Sequence, residues 1–296
     1  MYICNDCPRK CNVDRSEKTG FCEMGVEPVV ARAAVHLWEE PPISGKNGSG
    51  TVFFSGCNLK CCFCQNKDIS KEKFGKAVTV ERLKEIYKEL ILQGVNNINL
   101  VTPTHFTAAI LKSLDEPLGV PVVYNCGGYE SLEILKALKG KIDIYIPDLK
   151  YADDSLAFDY SAAKNYFETA TAAIKEMYRQ TGNYKINDEG IMQRGVIIRH
   201  LVLPGQLENS KRVIDWVSST FKEGEILFSL MSQFTPNEAC KRDELYRRLT
   251  QEEYDEISEY LYASGIEDGF MQELSSAKEE YTPPFDLTGV IKKTDN

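Results

Sequence analysis

The stretch Ser55-Gly56-Cys57-Asn58-Leu59-Lys60-Cys61-Cys62-Phe63-Cys64-Gln65-Asn66 follows an apolar run, Thr51-Val52-Phe53-Phe54, and sets three thiols in a C-x3-C-x2-C pattern. A cubane [4Fe-4S] cluster has four irons, so Cys57, Cys61 and Cys64 can ligate three of them from one short loop and leave the fourth open. An open iron is a place for chemistry. A structural zinc site or a ferredoxin-type cluster needs a fourth ligand. Cys62 is the spare thiol on the loop, and its position beside Cys61 suits a tetrahedron poorly. The bacterial ferredoxin run, C-x2-C-x2-C with a further Cys before a proline, is not the pattern here.

With Phe63 before the last ligand and a strand leading in, the loop resembles the signature of the radical S-adenosylmethionine superfamily. In that superfamily the free iron chelates the amino and carboxylate groups of S-adenosylmethionine. One electron then splits the sulfonium into methionine and a 5'-deoxyadenosyl radical, chemistry that belongs to the cofactors while the protein positions them.

The 296 residues carry 35 Lys and Arg against 44 Asp and Glu, a net charge of -9. That balance disfavours phosphate backbones, and so a nucleic acid partner, and it disfavours anionic membrane surfaces. The start of the chain lacks a basic and then apolar leader, and no run approaches the length of a membrane helix. The expectation is a cytoplasmic protein whose ten cysteines bind metal or stay reduced and do not pair.

Composition divides the chain into a Cys-rich extension over 1–50, a barrel over 51–235 and a charged helical region with a tail over 236–296. In the extension, Cys4, Cys7, Cys11 and Cys22 are candidate ligands of a second metal site, for which zinc and an auxiliary iron–sulfur cluster both fit four thiolates. The alternative is a reduced, cysteine-rich hairpin. The double proline Pro41-Pro42 reads as a stop to regular structure, His36 as a packed polar residue, and the Gly-rich segment 44–50 as a flexible connection.

From Thr51 the chain alternates short β-branched runs with longer amphipathic ones, the mark of βα units around a parallel sheet. Strands are predicted near 51–55, 97–101, 121–125, 142–146, 196–202 and 225–231, which makes an α/β fold of the partial (β/α)6 barrel kind. Helices are predicted over 80–93, 166–180 and 250–263, and the turn Asn187-Asp188-Glu189-Gly190 predicts an inserted hairpin. The closing segment Tyr281-Thr282-Pro283-Pro284-Phe285 is expected to pack across the barrel.

Ligands of parallel βα folds lie at the carboxyl ends of the strands. There the chain offers Thr102-Pro103-Thr104-His105, then Asn125-Cys126-Gly127-Gly128, Asp148-Leu149-Lys150 and Arg199-His200 ahead of Val202-Leu203-Pro204-Gly205. The last two resemble segments of the activating enzyme of pyruvate formate-lyase, where they lie against S-adenosylmethionine. That resemblance implies contacts from Asp148, Lys150 and Arg199. Asn125 joins them as a candidate, and Gln233 is a weaker one. Where many relatives carry Gly-Gly-Glu, this chain has Thr102 and Thr104, whose hydroxyls are the candidate replacements. Alternation along a strand turns Arg199 and His200 to opposite faces, and Arg199 is the one expected to look inward. Cys126 reads either as a hydrogen-atom donor or as a packing residue, and His105 as a substrate contact or a helix cap.

The N-terminal cysteines, the run Cys64-Gln65-Asn66 and the Thr-Pro-Thr-His segment look like a subgroup of activating-enzyme-like proteins. The resemblance implies an activase of a glycyl-radical enzyme, reduced by flavodoxin or ferredoxin. Radical modification of a peptide or small molecule is the alternative. A non-catalytic iron–sulfur or zinc module is the alternative from another class.

Overall fold

The structure is a computed structural model and describes residues 1–237, 240–276 and 282–292. Its strands are β1 (Val29–His36), β2 (Ser49–Phe54), β3 (Lys76–Ala77), β4 (Ile98–Val101), β5 (Val122–Cys126), β6 (Ile144–Pro147), β7 (Lys185–Ile186), β8 (Met192–Leu201), β9 (Leu227–Met231) and β10 (Gly269–Met271). They form one open sheet in the order β10-β9-β8-β6-β5-β4-β2-β1-β3, with β7 paired to β8. The six predicted strands correspond to β2, β4, β5, β6, β8 and β9, and all are parallel neighbours. The short β10 extends the parallel edge. At the other edge β1 runs antiparallel to β2, so residues 29–36 share the sheet of the barrel.

Helices α1 (Val80–Ile91), α2 (Thr107–Ser113), α3 (Leu132–Ala137), α4 (Asp154–Ser161), α5 (Tyr166–Thr181), α6 (Leu207–Thr220) and α7 (Gln251–Ala263) accompany the strands. Side-chain alternation sorts each strand. Tyr124, Tyr145, Ile198 and Phe228 join the core shared with the helices. Val123, Ile144, Ile146, Ile197 and Leu227 pack on one another inside the curve of the sheet, around Ile43. Helix α7 starts with a capping box between Thr250 and Glu253.

Two local readings change. Pro41 and Pro42 open a helical turn, Pro41–Ser44, where a missing N–H costs nothing, and they do not end one. The Gly-rich segment is an ordered turn tied by the Gly48 N–H donating to the Ser44 carbonyl, 2.8 Å, before Ser49 enters β2. Asn96 and Asn97 donate to the carbonyls of Ser44 and Ile43 at 2.6 and 2.8 Å, which seats the turn at the amino ends of the strands as a plug. In the closing segment Tyr281 lies outside the described residues. Beyond it, the Leu287 N–H donates to Ala31 and the Ala33 N–H donates to Thr288, so the tail runs along β1.

Candidate active site

The cysteine loop leaves β2 and lies across the end of α4. Backbone amides of Lys60 and Cys62 donate to the Ser161 and Tyr160 carbonyls at 3.1 and 2.8 Å, and the Asn58 amide group donates to the Tyr129 carbonyl at 2.6 Å. Each triad sulfur faces one donor. The Leu59 N–H lies 3.4 Å from Cys57 Sγ, Ser161 Oγ 3.0 Å from Cys61 Sγ and Ser70 Oγ 3.3 Å from Cys64 Sγ. Burial pushes the Cys57 and Cys61 thiols up, while Lys150 pulls both down. Three unpaired thiols, each with a hydrogen-bond donor and two of them near the Lys150 cation, fit a cluster that demands thiolates.

Cys62 is joined by a disulfide to Cys240, with Cα atoms 4.7 Å apart. This corrects the expectation that no cysteines pair. The partners are 178 residues apart, and Asn237 is brought to the same loop, its Nδ2 3.4 Å from the Cys64 carbonyl.

Beside the triad opens a cavity of about 220 Å³ lined by Cys61, Cys64, Asn125, Asp148, Lys150 and Arg199 among others. Arg199 is its hub. It donates from Nε to Asp148 Oδ1 at 2.9 Å and from Nη2 to Asn125 Oδ1 at 2.7 Å, and its Nη1 stands 3.5 Å from Glu39 and 3.8 Å from Glu40. Lys150 Nζ meets Asp148 Oδ2 at 2.5 Å. Burial alone would lower the Arg199 guanidinium, but Asp148, Glu40 and Glu39 outweigh it and hold it charged. Burial raises Glu39 and Glu40 against the pull of Arg199. For Asp148, burial is overcome by Arg199 and Lys150, and its carboxyl stays low. After β5 the chain crosses directly over Asp148. A Cβ at Gly128, where φ is +76°, would sit 2.2 Å from the Asp148 carbonyl oxygen, so only glycine passes there.

His200 faces away from this cavity, hydrogen-bonded to the Leu149 carbonyl at 2.7 Å and Ser210 Oγ at 2.8 Å. The Thr102-Pro103-Thr104-His105 segment also turns elsewhere. Thr104 Oγ1 donates to Glu130 Oε1 at 2.6 Å, and His105 Nε2 pairs with the Ser55 carbonyl at 2.7 Å, which pins the cysteine loop. Thr102 takes φ +58° and gives its N–H to the Asn125 carbonyl. His105 therefore neither caps α2 nor lines the cavity, and burial takes its pKa down to about 3. Cys126 is buried in the core near Glu130. Gln233 lines the cavity, and its carbonyl accepts from Gln65.

Sequence reasoning passed over Glu39, Glu40 and Glu130. The signal for Glu130 was its place two residues past a glycine pair at a strand end. It is fully buried, accepts from Thr104 and from the Tyr124 hydroxyl at 3.0 Å, and is pushed up to about 7 by that burial. The folded state therefore holds this proton more tightly than the unfolded chain does. Its contribution to stability is complete below about pH 4.5 and is lost as pH rises through about 7. A rise of this size is worth roughly 3 kcal/mol, at about 1.4 kcal/mol per pKa unit. Glu130→Gln is expected to flatten the fall in urea-unfolding stability over that window. An unchanged slope would show that Glu130 is not the group responsible.

A ligand-open cysteine triad at the carboxyl mouth of an open parallel barrel defines an iron–sulfur enzyme class that binds its cosubstrate at the cluster. Residues 51–217, more than half of the chain, match the radical SAM superfamily, and the chain belongs to it. Membership implies a [4Fe-4S] cluster and S-adenosylmethionine. The chain is 32% identical over 267 residues to the uncharacterized protein MJ0674 of Methanocaldococcus jannaschii, covering 86% of this chain and 73% of that one. Methylornithine synthase (PylB) shares the fold at TM-score 0.51 and 15% identity, over 86% of this chain and 66% of that one. SuiB of Streptococcus suis, bound to S-adenosylmethionine, aligns at TM-score 0.49 and 12% identity, over 76% of this chain but half of SuiB. No helix among the described residues is long and apolar enough to cross a membrane.

Proposed function

We propose that the chain forms a 5'-deoxyadenosyl radical and uses it to take a hydrogen atom from a backbone glycine of a partner protein, as activases of glycyl-radical enzymes do. One observation carries the reading. Asp148 and Lys150 on one side and Arg199 on the other, the segments that resemble the pyruvate formate-lyase activating enzyme, converge beside Cys61 and Cys64. Cys57, Cys61 and Cys64 are the residues that would hold the [4Fe-4S] cluster, which, when bound, supplies the electron for cleavage of S-adenosylmethionine. Lys150 and Arg199 present cations suited to a carboxylate. Asp148 and Asn125 present acceptors and a donor suited to ribose and adenine groups. The Thr104 hydroxyl turns to buried Glu130 and does not line the cavity, so this reading does not use it. It places the protein in the cytoplasm with flavodoxin or ferredoxin as electron donor.

A second reading, modification of a small molecule or short peptide, draws on the lining of the cavity by Thr282 and Pro283, which narrows the mouth. The experiment that separates them is anaerobic incubation with dithionite, S-adenosylmethionine and a glycyl-radical enzyme of the host. The activase reading expects the doublet electron paramagnetic resonance signal of a backbone glycyl radical. Silence with every such enzyme, together with 5'-deoxyadenosine formation on another substrate, would overturn it.

A further inference from the structure

The first residues form a small paired loop. Ile3 bridges Asp14, the Cys4 N–H donates to the Val13 carbonyl at 2.9 Å, the Asn12 N–H returns to the Cys4 carbonyl at 3.0 Å, and the Lys10 N–H closes on Cys7 at 3.0 Å. Cys4, Cys7 and Cys11 thus share one turn. Lys10 and Asn12, on either side of Cys11, and Glu23, directly after Cys22, take φ of 43°, 53° and 61°. Three side-chain-bearing residues held in the left-handed region, all flanking cysteines, need an interaction that over-determines them. Cys22 is brought to the same place. The Phe21 N–H lies 3.2 Å from Cys11 Sγ, and a Cβ on Gly20 would stand 3.0 Å from that sulfur.

The thiols are unpaired, and Cys4, Cys7 and Cys22 are at most 6% exposed. The Phe21 N–H is directed at Cys11 Sγ, a donor that suits a metal-bound thiolate. The Arg9 guanidinium stacks 3.8 Å over the Phe21 ring and is close enough to Cys7, Cys11 and Cys57 for each to favour its charge.

We infer that Cys4, Cys7, Cys11 and Cys22 bind a second iron–sulfur cluster, fully ligated by the four thiolates. The arrangement favours a cluster over zinc, since zinc modules typically bring two separated pairs of ligands, while three ligands on one loop with a remote fourth Cys is how plant-type ferredoxins arrange theirs. The two cysteine sites share packing. A Cβ at Gly56, adjacent to Cys57 and at φ +78°, would lie 2.9 Å from the Cys22 carbonyl oxygen, and Arg9 Nε donates to the Asn58 carbonyl at 2.8 Å.

The test uses the full chain carrying Cys57→Ala, Cys61→Ala and Cys64→Ala, reconstituted anaerobically with iron and sulfide. About four irons and about four acid-labile sulfides per chain should remain, and the reduced cluster's paramagnetic signal should not respond to S-adenosylmethionine because it has no open iron. The unaltered chain, which needs no folding control, should hold about eight irons, and Cys11→Ser about four. A triple variant without iron while the unaltered chain holds about four would overturn the inference. So would zinc in place of iron at these cysteines. This test does not depend on what the protein's radical acts on.

Discussion

Alanine at Cys57, Cys61 or Cys64 is expected to reduce 5'-deoxyadenosine formation to background, while Cys62→Ala leaves it measurable. The reasoning is geometric. Each triad sulfur has its own donor, from Leu59, Ser161 or Ser70, so the three positions are prepared for three irons and no neighbour can take over a lost one. Cys62, though adjacent in sequence, is turned toward Cys240. Losing one of three ligands to a cluster whose fourth iron is already open leaves two, and the cluster should not survive reconstitution. Iron content and deoxyadenosine, assayed together with dithionite as reductant, check this. Retention of the cluster in Cys64→Ala with its loss in Cys62→Ala would reverse the ligand assignment.

Arg199→Met should destabilise the fold by about 3–5 kcal/mol in urea unfolding near pH 8, the range found when one partner of a buried charge group is removed. The side chain is 16% exposed and faces three carboxylates, Asp148, Glu39 and Glu40, with side chains 13%, 8% and 7% exposed. Without Arg199, Lys150 is the cation left paired with this group among the described residues. Burial already raises Glu39 and Glu40, and removing the guanidinium raises them further. The variant's folded state then binds protons more tightly than its unfolded state, so the added loss should be small in acid and grow as pH rises through the shifted values. Arg199→Lys keeps a charge but not the fork that reaches Asp148 and Asn125 at once, and it should recover only part of the stability. A loss below about 1 kcal/mol at pH 8 would show that the carboxylates are relieved by water or protonation and not by Arg199.

Sequence alone determined the parallel barrel, because six β-branched runs separated by amphipathic segments leave few other ways to bury both faces of a sheet. It also singled out the cysteine triad, since thiols three and four residues apart lie within reach of one another whatever the rest of the chain does. That Arg199 and His200 face opposite ways followed from the two-residue period of a strand, which is local too. What only the tertiary structure decided depends on distant segments meeting. Glu39 and Glu40 stand before a double proline with no local sign of a role. The plug that Pro41–Ser44 forms at the amino ends of the strands aims them at Arg199, 160 and 159 positions along the chain. Thr104 was placed at a strand end, where ligands are met, but a buried carboxylate brought from Glu130 claimed its hydroxyl. The link from Cys62 to Cys240 spans 178 residues. Periodicity and spacing report on contacts within a few residues. Which buried charges and thiols compensate one another is settled by the closing of long loops, and one chain carries no local mark of that.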